Sequence, residues 1–462
     1  MAERYNSVKG NPFQRLEQIR YWGTTSVLAG DPLVSKPESS YARIPLTASV
    51  QTEGAYIEDN VVIRKGMNCP IAEEMLEGVD TVEPKIIYMG DNIFLTAYLD
   101  ADDSSTIQAQ AFSVNPATST RTFGVKKEIK GTACNSLSLC KMKGSSNQFC
   151  VAYRDEGVDD YLGATAGTIN VSTLVITLGS EKVLNAAVIK NEGTGITSPL
   201  SGIVCISFIL NGDSKGYNIA TTISSSSVIG TPGTAVVFNN AATKYPAITT
   251  YVEGSVATAY QDDGGSDYVE VVSQSVSATK VVGAAGTLKT LNAAAATSID
   301  ITTLEDNAIA ISWVDTTLPH IIACTVSAGV FTAGTELQLE ATACLTPSID
   351  VFGAHAIAMV LEDDAHAADV GKVYYISRTG VTLTKTYTEW FTSASTETPV
   401  IATYPGRDGE NLQIFFNDAA DSDRGKIIWC RRADNIIDVR SNVNSGKVIF
   451  TITPSMTRKR DA

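Results

Sequence analysis

Apolar and polar residues alternate along most of the chain in short runs of about seven residues. Two of these runs, 94–100 and 149–155, lead up to an aromatic residue that is followed two positions later by an aspartate. Alternation with a period of two is typical of β-strands that bury one face. Polar turns rich in Gly, Asp and Ser separate the runs. The pattern therefore predicts an all-β fold.

The run recurs seven times, at intervals of 48 to 55 residues, and we call these segments repeats 1 to 7. The other runs of each repeat predict about four strands per repeat. Seven such repeats predict a seven-bladed β-propeller of four-stranded blades. The aromatic side chains of six repeats are predicted to pack in the blade cores, and they are Tyr98, Tyr153, Phe208, Tyr260, Trp313 and Phe416.

An aspartate follows the key position by two residues in six repeats, at Asp100, Asp155, Asp262, Asp315, Asp363 and Asp418. Repeat 3 has Leu210 in its place, and repeat 6 has Leu361 in place of the aromatic. A catalytic group is usually unique to one repeat, so the recurrence favours a hydrogen bond to the following turn. Solenoids and tandem immunoglobulin-like domains are the competing folds, and the tandem domains predict a period nearer about 100 residues.

Residues 1–65 contain no copy of the repeat and are predicted to form an N-terminal arm, partly extended and partly helical. Asn11 as an N-cap before a proline predicts a short helix over about 12–22. Such a helix is marginal alone in water, so it is expected to dock on the chain's own propeller or on a partner protein. The predicted anchoring residues are Phe13, Leu16, Ile19, Tyr21 and Trp22.

The propeller is predicted to span 66–453, followed by a basic tail at 454–462. A strand at about 55–64 is expected to pair with 447–452 and to close the ring. Residues 70–78 are expected to form a helical turn before the first blade.

Charge narrows the range of partners. The 462 residues include 35 Lys and Arg against 50 Asp and Glu, a formal net charge of −15. A nucleic-acid partner is disfavoured, because neutralising phosphates requires a basic face. No apolar run approaches the roughly 18 residues of a membrane span, and the N-terminus lacks the apolar core of a secretory signal. We therefore expect no membrane partner and synthesis in a cytosol.

Motifs for catalysis or metal binding do not occur in the sequence. It has three histidines, and no HExxH, GxSxG or GxxxxGK[ST] motif. No cofactor, metal or catalytic residue is predicted, and the chain is expected not to be an enzyme. The acidic loops after the repeated aspartates are interpreted as solvated hairpin tips, with Ca²⁺ sites as the alternative.

Eight cysteines occur, none of them in a CxxC pair. Most lie in apolar runs, as Cys205 does, which favours a role as small buried hydrophobes. Inter-subunit disulfides are the alternative.

Repeat 2 resembles the repeats of tailed-bacteriophage virion propellers. The resemblance rests on an aromatic-x-Asp strand at 149–157, a Gly-spaced strand at 163–169 and the closing Leu-Gly-Ser-Glu strand at 177–184. It implies a non-enzymatic virion structural protein of the neck, collar or tail, attached through its arm. Implied partners are portal, neck or tail proteins and copies of itself. A host-receptor or glycan-binding adhesin is the alternative, and a carbohydrate-active enzyme comes after it.

Overall fold

The alternating runs form β-strands in the computed structural model. The structure describes residues 34–35, 41–45, 61–68, 74–115, 120–157, 159–265, 267–353, 355–366, 369–406 and 409–440. Their regular elements are β-strands and two 3-10 turns, Ala101–Asp103 and Ala419–Asp421, so the all-β prediction is confirmed. The chain divides into two compact units, one of Met1–Pro70 with Arg431–Ala462 and one of Ile71–Cys430. The described part contains no helix long and apolar enough to cross a membrane.

The first unit contains β1 (Val34–Ser35), β2 (Tyr41–Pro45), β3 (Val61–Asn68) and the end of β30 (Arg424–Arg440). Strand β30 pairs antiparallel with both β2 and β3. The predicted arm helix at 12–22, with Phe13, Leu16, Ile19, Tyr21 and Trp22, lies outside the described residues. The predicted partner segment 447–452 also lies outside them. Of the predicted closing strand at about 55–64, the structure describes the residues from Val61 onward, and Val61 pairs with Val439 of β30.

The second unit contains the seven repeats, each of which forms antiparallel strands in chain order. Repeats 1 to 3 form β4 (Glu74–Gly90), β5 (Ile93–Asp100), β6 (Thr106–Val114), β7 (Arg121–Phe123), β8 (Lys127–Lys130), β9 (Cys134–Lys141), β10 (Gln148–Asp155), β11 (Tyr161–Ile169), β12 (Ile176–Asn185), β13 (Gly195–Leu200), β14 (Ile203–Ile209), β15 (Lys215–Thr222) and the start of β16 (Val236–Val252). Repeats 4 and 5 form the rest of β16, β17 (Ser255–Asp262), β18 (Tyr268–Ser275), β19 (Lys289–Asn292), β20 (Ala296–Glu305), β21 (Ala308–Asp315), β22 (Leu318–Ser327), β23 (Val330–Ala333) and β24 (Leu337–Gln338). Repeats 6 and 7 form β25 (Leu345–Val351), β26 (Ala356–Asp363), β27 (Val370–Thr379), β28 (Thr382–Gly406), β29 (Gly409–Asp418) and the start of β30.

The core lies between neighbouring sheets rather than within one sheet. The second strand of a repeat is covered on both faces, and all eight residues of β5 are buried. One apolar cluster joins Ile107 of repeat 1 to Tyr153 of repeat 2, and another joins Phe94 of repeat 1 to Phe415 of repeat 7. First strands contact one another in the order β4, β9, β13, β16, β20, β25 and β28, and β28 in turn contacts β4.

The predicted helical turn at 70–78 is wrong where the structure describes it. Residues from Glu74 onward begin β4, and Glu74 and Asp80 pair with Ile427 and Arg424 of β30. The reason is that β30 would otherwise expose unpaired backbone groups at the edge of repeat 7. Local helix propensity is overridden by this long-range pairing.

Successive repeats approach each other closely at a recurring glycine in or near the last strand of a repeat. A Cβ atom built on Gly179 would lie 1.9 Å from the carbonyl oxygen of Ser227 in the next repeat. The same approach recurs at Gly124, Gly233 and Gly334, where the carbonyl oxygen of the next repeat would lie 2.2 to 2.4 Å from the added atom. Only a residue without a side chain fits this backbone contact.

Candidate functional site

The six aromatic side chains predicted for the blade cores are all at most 1% exposed, and Leu361 of repeat 6 is likewise buried. Their environments differ in polarity. The hydroxyl of Tyr153 shares a 3.1 Å hydrogen bond with the hydroxyl of Thr165, and Tyr260 donates one of 3.1 Å to Glu270. These residues are packing elements, and those with hydroxyls have them satisfied.

The repeated aspartates lie where the second strand ends, and in repeats 1, 2 and 7 the carboxylate caps the turn that follows. Asp100 accepts a hydrogen bond from the backbone N–H of Asp103 at 3.2 Å. Asp155 accepts one from Gly157 at 3.1 Å, and Asp418 one from Ala420 at 3.0 Å. The geometry is that of an Asx turn, which recurs with the repeat.

The carboxylates also hold the preceding repeat, a role that the sequence analysis missed. The ammonium of Lys130 lies 2.8 Å from the carboxylate of Asp155. The side-chain amide of Asn239 donates a 3.3 Å hydrogen bond to Asp262, and that of Asn292 donates one of 3.3 Å to Asp315. A signal was present, because an Asn followed by alanines stands 23 residues before both Asp262 and Asp315.

In repeats 6 and 7 the repeated aspartate is paired with a lysine on the third strand of its own repeat. Lys372 lies 2.7 Å from Asp363, and Lys426 pairs with Asp418. Glu340, which stands 23 residues before Asp363 where repeats 3 and 4 have Asn, lies 4.0 Å from the same Lys372 ammonium. A lysine therefore separates two carboxylates that would otherwise repel each other.

Unneutralised acids gather at the same strand ends of repeats 6, 7 and 1. Burial, and then the carboxylates of Glu397, Asp369 and Asp364, raise the pKa of Glu362 to about 7. Burial and the carboxylate of Asp423 raise the pKa of Asp80 in the same way. Within the described residues, no group of three or more His, Cys, Asp or Glu side chains could hold a metal ion.

Two further carboxylates connect the first strands of repeats 5, 6 and 7. Asp300 accepts a 2.8 Å hydrogen bond from the backbone N–H of Ile349. Asp350 accepts hydrogen bonds from the N–H and the hydroxyl of Thr403, at 2.8 and 2.9 Å. Burial raises the pKa of Asp350 to about 6, against the opposing effect of the Thr403 hydrogen bonds. Both acids serve as acceptors that join neighbouring strands.

Six cysteines are free and buried, as their apolar sequence context predicts; they are Cys134, Cys140, Cys150, Cys205, Cys324 and Cys344. Burial raises the pKa of the Cys205 thiol to about 12, and it raises the pKa of the Cys140 thiol to about 12 as well. Cys430 is disulfide-bonded. Inter-subunit disulfides through the six buried thiols would require local opening.

No protein-family model and no curated protein matches the chain. The chain is similar in fold to a putative 6-phosphogluconolactonase from Bacteroides uniformis, at 9% identity and a TM-score of 0.50, over 72% of this chain and 94% of that chain. It is less similar to a periplasmic gluconolactonase from Pseudomonas aeruginosa, at 8% identity and a TM-score of 0.46, over 82% and 99% of the two chains. The NanB sialidase of Streptococcus pneumoniae matches at 10% identity and a TM-score of 0.41, over 80% and 70%. The fold is therefore all-β and propeller-like.

The prediction that the chain is not an enzyme is corrected by this comparison. The fold that it shares with the lactonase is one on which enzymes are built. The prediction relied on few histidines and on missing local motifs. A propeller can assemble a site from loops of separate repeats, which leaves no local motif to find.

Proposed function

We propose that the chain is a structural component of a tailed-bacteriophage particle. The observation that carries the proposal is the arrangement of repeat 2. The three segments that resemble virion propellers lie on the neighbouring strands β10, β11 and β12 of one antiparallel sheet. Within it, Phe149 pairs with Gly167 and Tyr153 with Gly163, so that each aromatic ring covers a glycine. The resemblance thus belongs to one packed unit.

The proposal includes seven four-stranded blades closed into a ring. Support comes from the contacts of first strands in chain order, with β28 returning to β4. The pairing of residues 74–80 with β30 supplies repeat 7 with a further strand from the N-terminal side. A closed ring leaves no long sheet edge for pairing with other chains, which suits a protein packed at high density in a particle.

Within this proposal the chain lies in the virion and contacts portal, neck or tail proteins and copies of itself. The contact is assigned to residues 1–65, with Phe13, Leu16, Ile19, Tyr21 and Trp22 as the anchoring side chains. A glycan-binding adhesin is the second candidate, and the observation that favours it is the cavity described in the next subsection.

Labelling of purified particles tests the proposal. Gold-conjugated antibody against the chain is expected at the neck, collar or tail in electron micrographs. A triple variant, F13D/L16D/I19D, should melt like the unmodified chain but fail to join particles. Val125→Asp is the matched control, because Val125 is 74% exposed and outside the arm. Recovery of the unmodified chain only in particle-free lysate would contradict the proposal.

A further inference from the structure

A cavity of about 740 Å³ opens beside the first strands of repeats 1, 2 and 3, where these strands turn back at their hairpins. Its apolar wall includes the partly buried Ile87 and Leu139, and its polar wall includes Ser146 and Thr197. Two ammonium groups, those of Lys141 and Lys143, line the same space. Cavities of roughly 300–1,000 Å³ suit ligands from a small sugar to a drug-sized molecule.

The ammonium of Lys141 is half-buried and has no ion pair or hydrogen bond with any described residue. Other shielded lysines meet a carboxylate directly, as Lys130 and Lys372 do at 2.8 and 2.7 Å. Loss of water lowers the pKa of Lys141, and the carboxylate of Asp91 acts in the opposite direction at longer range. A chain with a net charge of −15 therefore keeps a partly desolvated cation at a cavity wall without a direct ion pair among the described residues.

The groups around Lys141 offer further donors. The ammonium of Lys143 is held over the cavity by the carbonyl oxygen of Pro199 at 3.5 Å and by exposed Glu253 at 3.8 Å. The hydroxyl of Ser146 has no hydrogen-bond partner among the described residues, and that of Thr197 shares one of 2.8 Å with Thr250. Hydroxyls can both donate to and accept from a ligand hydroxyl.

We propose that this cavity binds an acidic saccharide, with its carboxylate on Lys141. Charge-assisted hydrogen bonds are about twice as strong as neutral ones, so an unpaired ammonium favours an anionic ligand. A bare inorganic anion would leave the apolar wall of Ile87 and Leu139 exposed to water. A sugar ring covers such a wall with its C–H face and directs its hydroxyls to Ser146 and Thr197. The inference names a ligand for the second candidate function and does not rest on the virion role.

Calorimetric titration of the full chain with glucuronate and with glucose tests the inference. Glucuronate is expected to bind, and glucose to bind at least about tenfold more weakly, since it lacks the carboxylate. Lys141→Met should remove this preference, whereas Lys141→Arg should retain it. Lys127→Met is the matched control, because Lys127 is exposed on β8 and does not line the cavity; its affinity should equal that of the unmodified chain.

The location is checked by acylation of lysines followed by peptide mass spectrometry. Saturating glucuronate should protect Lys141 and leave Lys127 unprotected. Acetate that binds as tightly as glucuronate would overturn the saccharide assignment in favour of a simple anion site. Absence of glucuronate binding, or binding that leaves Lys141 unprotected, would overturn the site itself. Particle association of the chain is a separate measurement, so failure here is distinguishable from failure of the virion role.

Discussion

The ammonium of Lys130, at the end of the last strand of repeat 1, lies 2.8 Å from the carboxylate of Asp155, on the second strand of repeat 2. The two side chains are only 11% and 4% exposed. Salt screens such a shielded pair less than a surface pair. Asn239 makes the corresponding link to Asp262 with an amide. Asp155 therefore joins repeats 1 and 2 as well as capping its own turn.

Replacing Asp155 with Asn is expected to lower the free energy of unfolding by about 2–3 kcal/mol, because a shielded ammonium loses its charged acceptor. Lys130 retains the carboxylate of Glu181 at 2.5 Å, which limits the loss. Urea denaturation followed by tryptophan fluorescence measures the change.

Asp315→Asn is the matched control, at the same position of repeat 5. Asp315 is half-buried and accepts a longer hydrogen bond, 3.3 Å, from the neutral amide of Asn292. Its replacement should cost about 1 kcal/mol or less. Equal losses at both sites would show that the position, and not the ion pair, determines the effect.

Gly179→Ala is expected to destabilise the chain by about 2–3 kcal/mol. The added methyl group would lie 1.9 Å from the carbonyl oxygen of Ser227, so the backbones of repeats 2 and 3 must move apart. Thermal melting followed by circular dichroism measures the change. Gly212→Ala is the control, since nothing lies within 4 Å of a Cβ at Gly212; it should stay within about 0.5 kcal/mol of the unmodified chain.

Much of this architecture could be predicted from local sequence. The alternation in 94–100 and the spacing of the aromatics require only neighbouring residues, and they predict strands and repeats. The strand at Glu74 could not be found in this way, because its partner β30 lies about 350 residues further along the chain. The link from Asn239 to Asp262 was missed because it crosses from one repeat into the next, and its signal, an Asn 23 residues before the repeated aspartate, appears only when neighbouring repeats are compared.

The candidate ligand cavity was also beyond sequence reasoning. Lys141 is the last residue of an ordinary strand, β9, and only the packing of three repeats partly desolvates its ammonium. The acidic loops, in contrast, were visible in the sequence, and Asp100, Asp155 and Asp418 in them take part in turns or ion pairs.

The six free cysteines are expected to resist alkylation in the folded chain. Burial raises the pKa of Cys324 to about 12 and the pKa of Cys344 to about 12. The reactive thiolate is therefore scarce at neutral pH. Iodoacetamide labelling at pH 8, read by intact mass, should add nothing to these six thiols until urea is present. Rapid native labelling of several thiols would contradict this packing and would favour disulfides between subunits.

Asp350 should make the folded chain less stable as the pH rises. Burial raises the pKa of its carboxyl to about 6 from the usual 3.8, so the folded state binds the proton more tightly than the unfolded state does. Its contribution is therefore present at low pH and is lost as the pH passes from about 4 through about 6. Asp350→Asn cannot titrate. The unfolding free energy of the unmodified chain, minus that of the variant, should fall by about 1–3 kcal/mol between pH 4 and 7.

The hydroxyl of Thr403 allows a second test of the titration of Asp350. Its single proton is shared between the Asp350 carboxylate at 2.9 Å and the carbonyl oxygen of Val351 at 2.5 Å, and the bond to the carboxylate favours the charged form. Thr403→Val removes that donor, which should raise the pKa of Asp350 further and make stability fall more steeply above pH 6. Urea midpoints measured between pH 4 and 7 for the unmodified chain and both variants test this pH dependence. A difference between unmodified chain and Asp350→Asn that stays constant with pH would mean that Asp350 is ionised in the folded and unfolded states alike, and that the desolvation of this carboxylate is compensated by its hydrogen bonds.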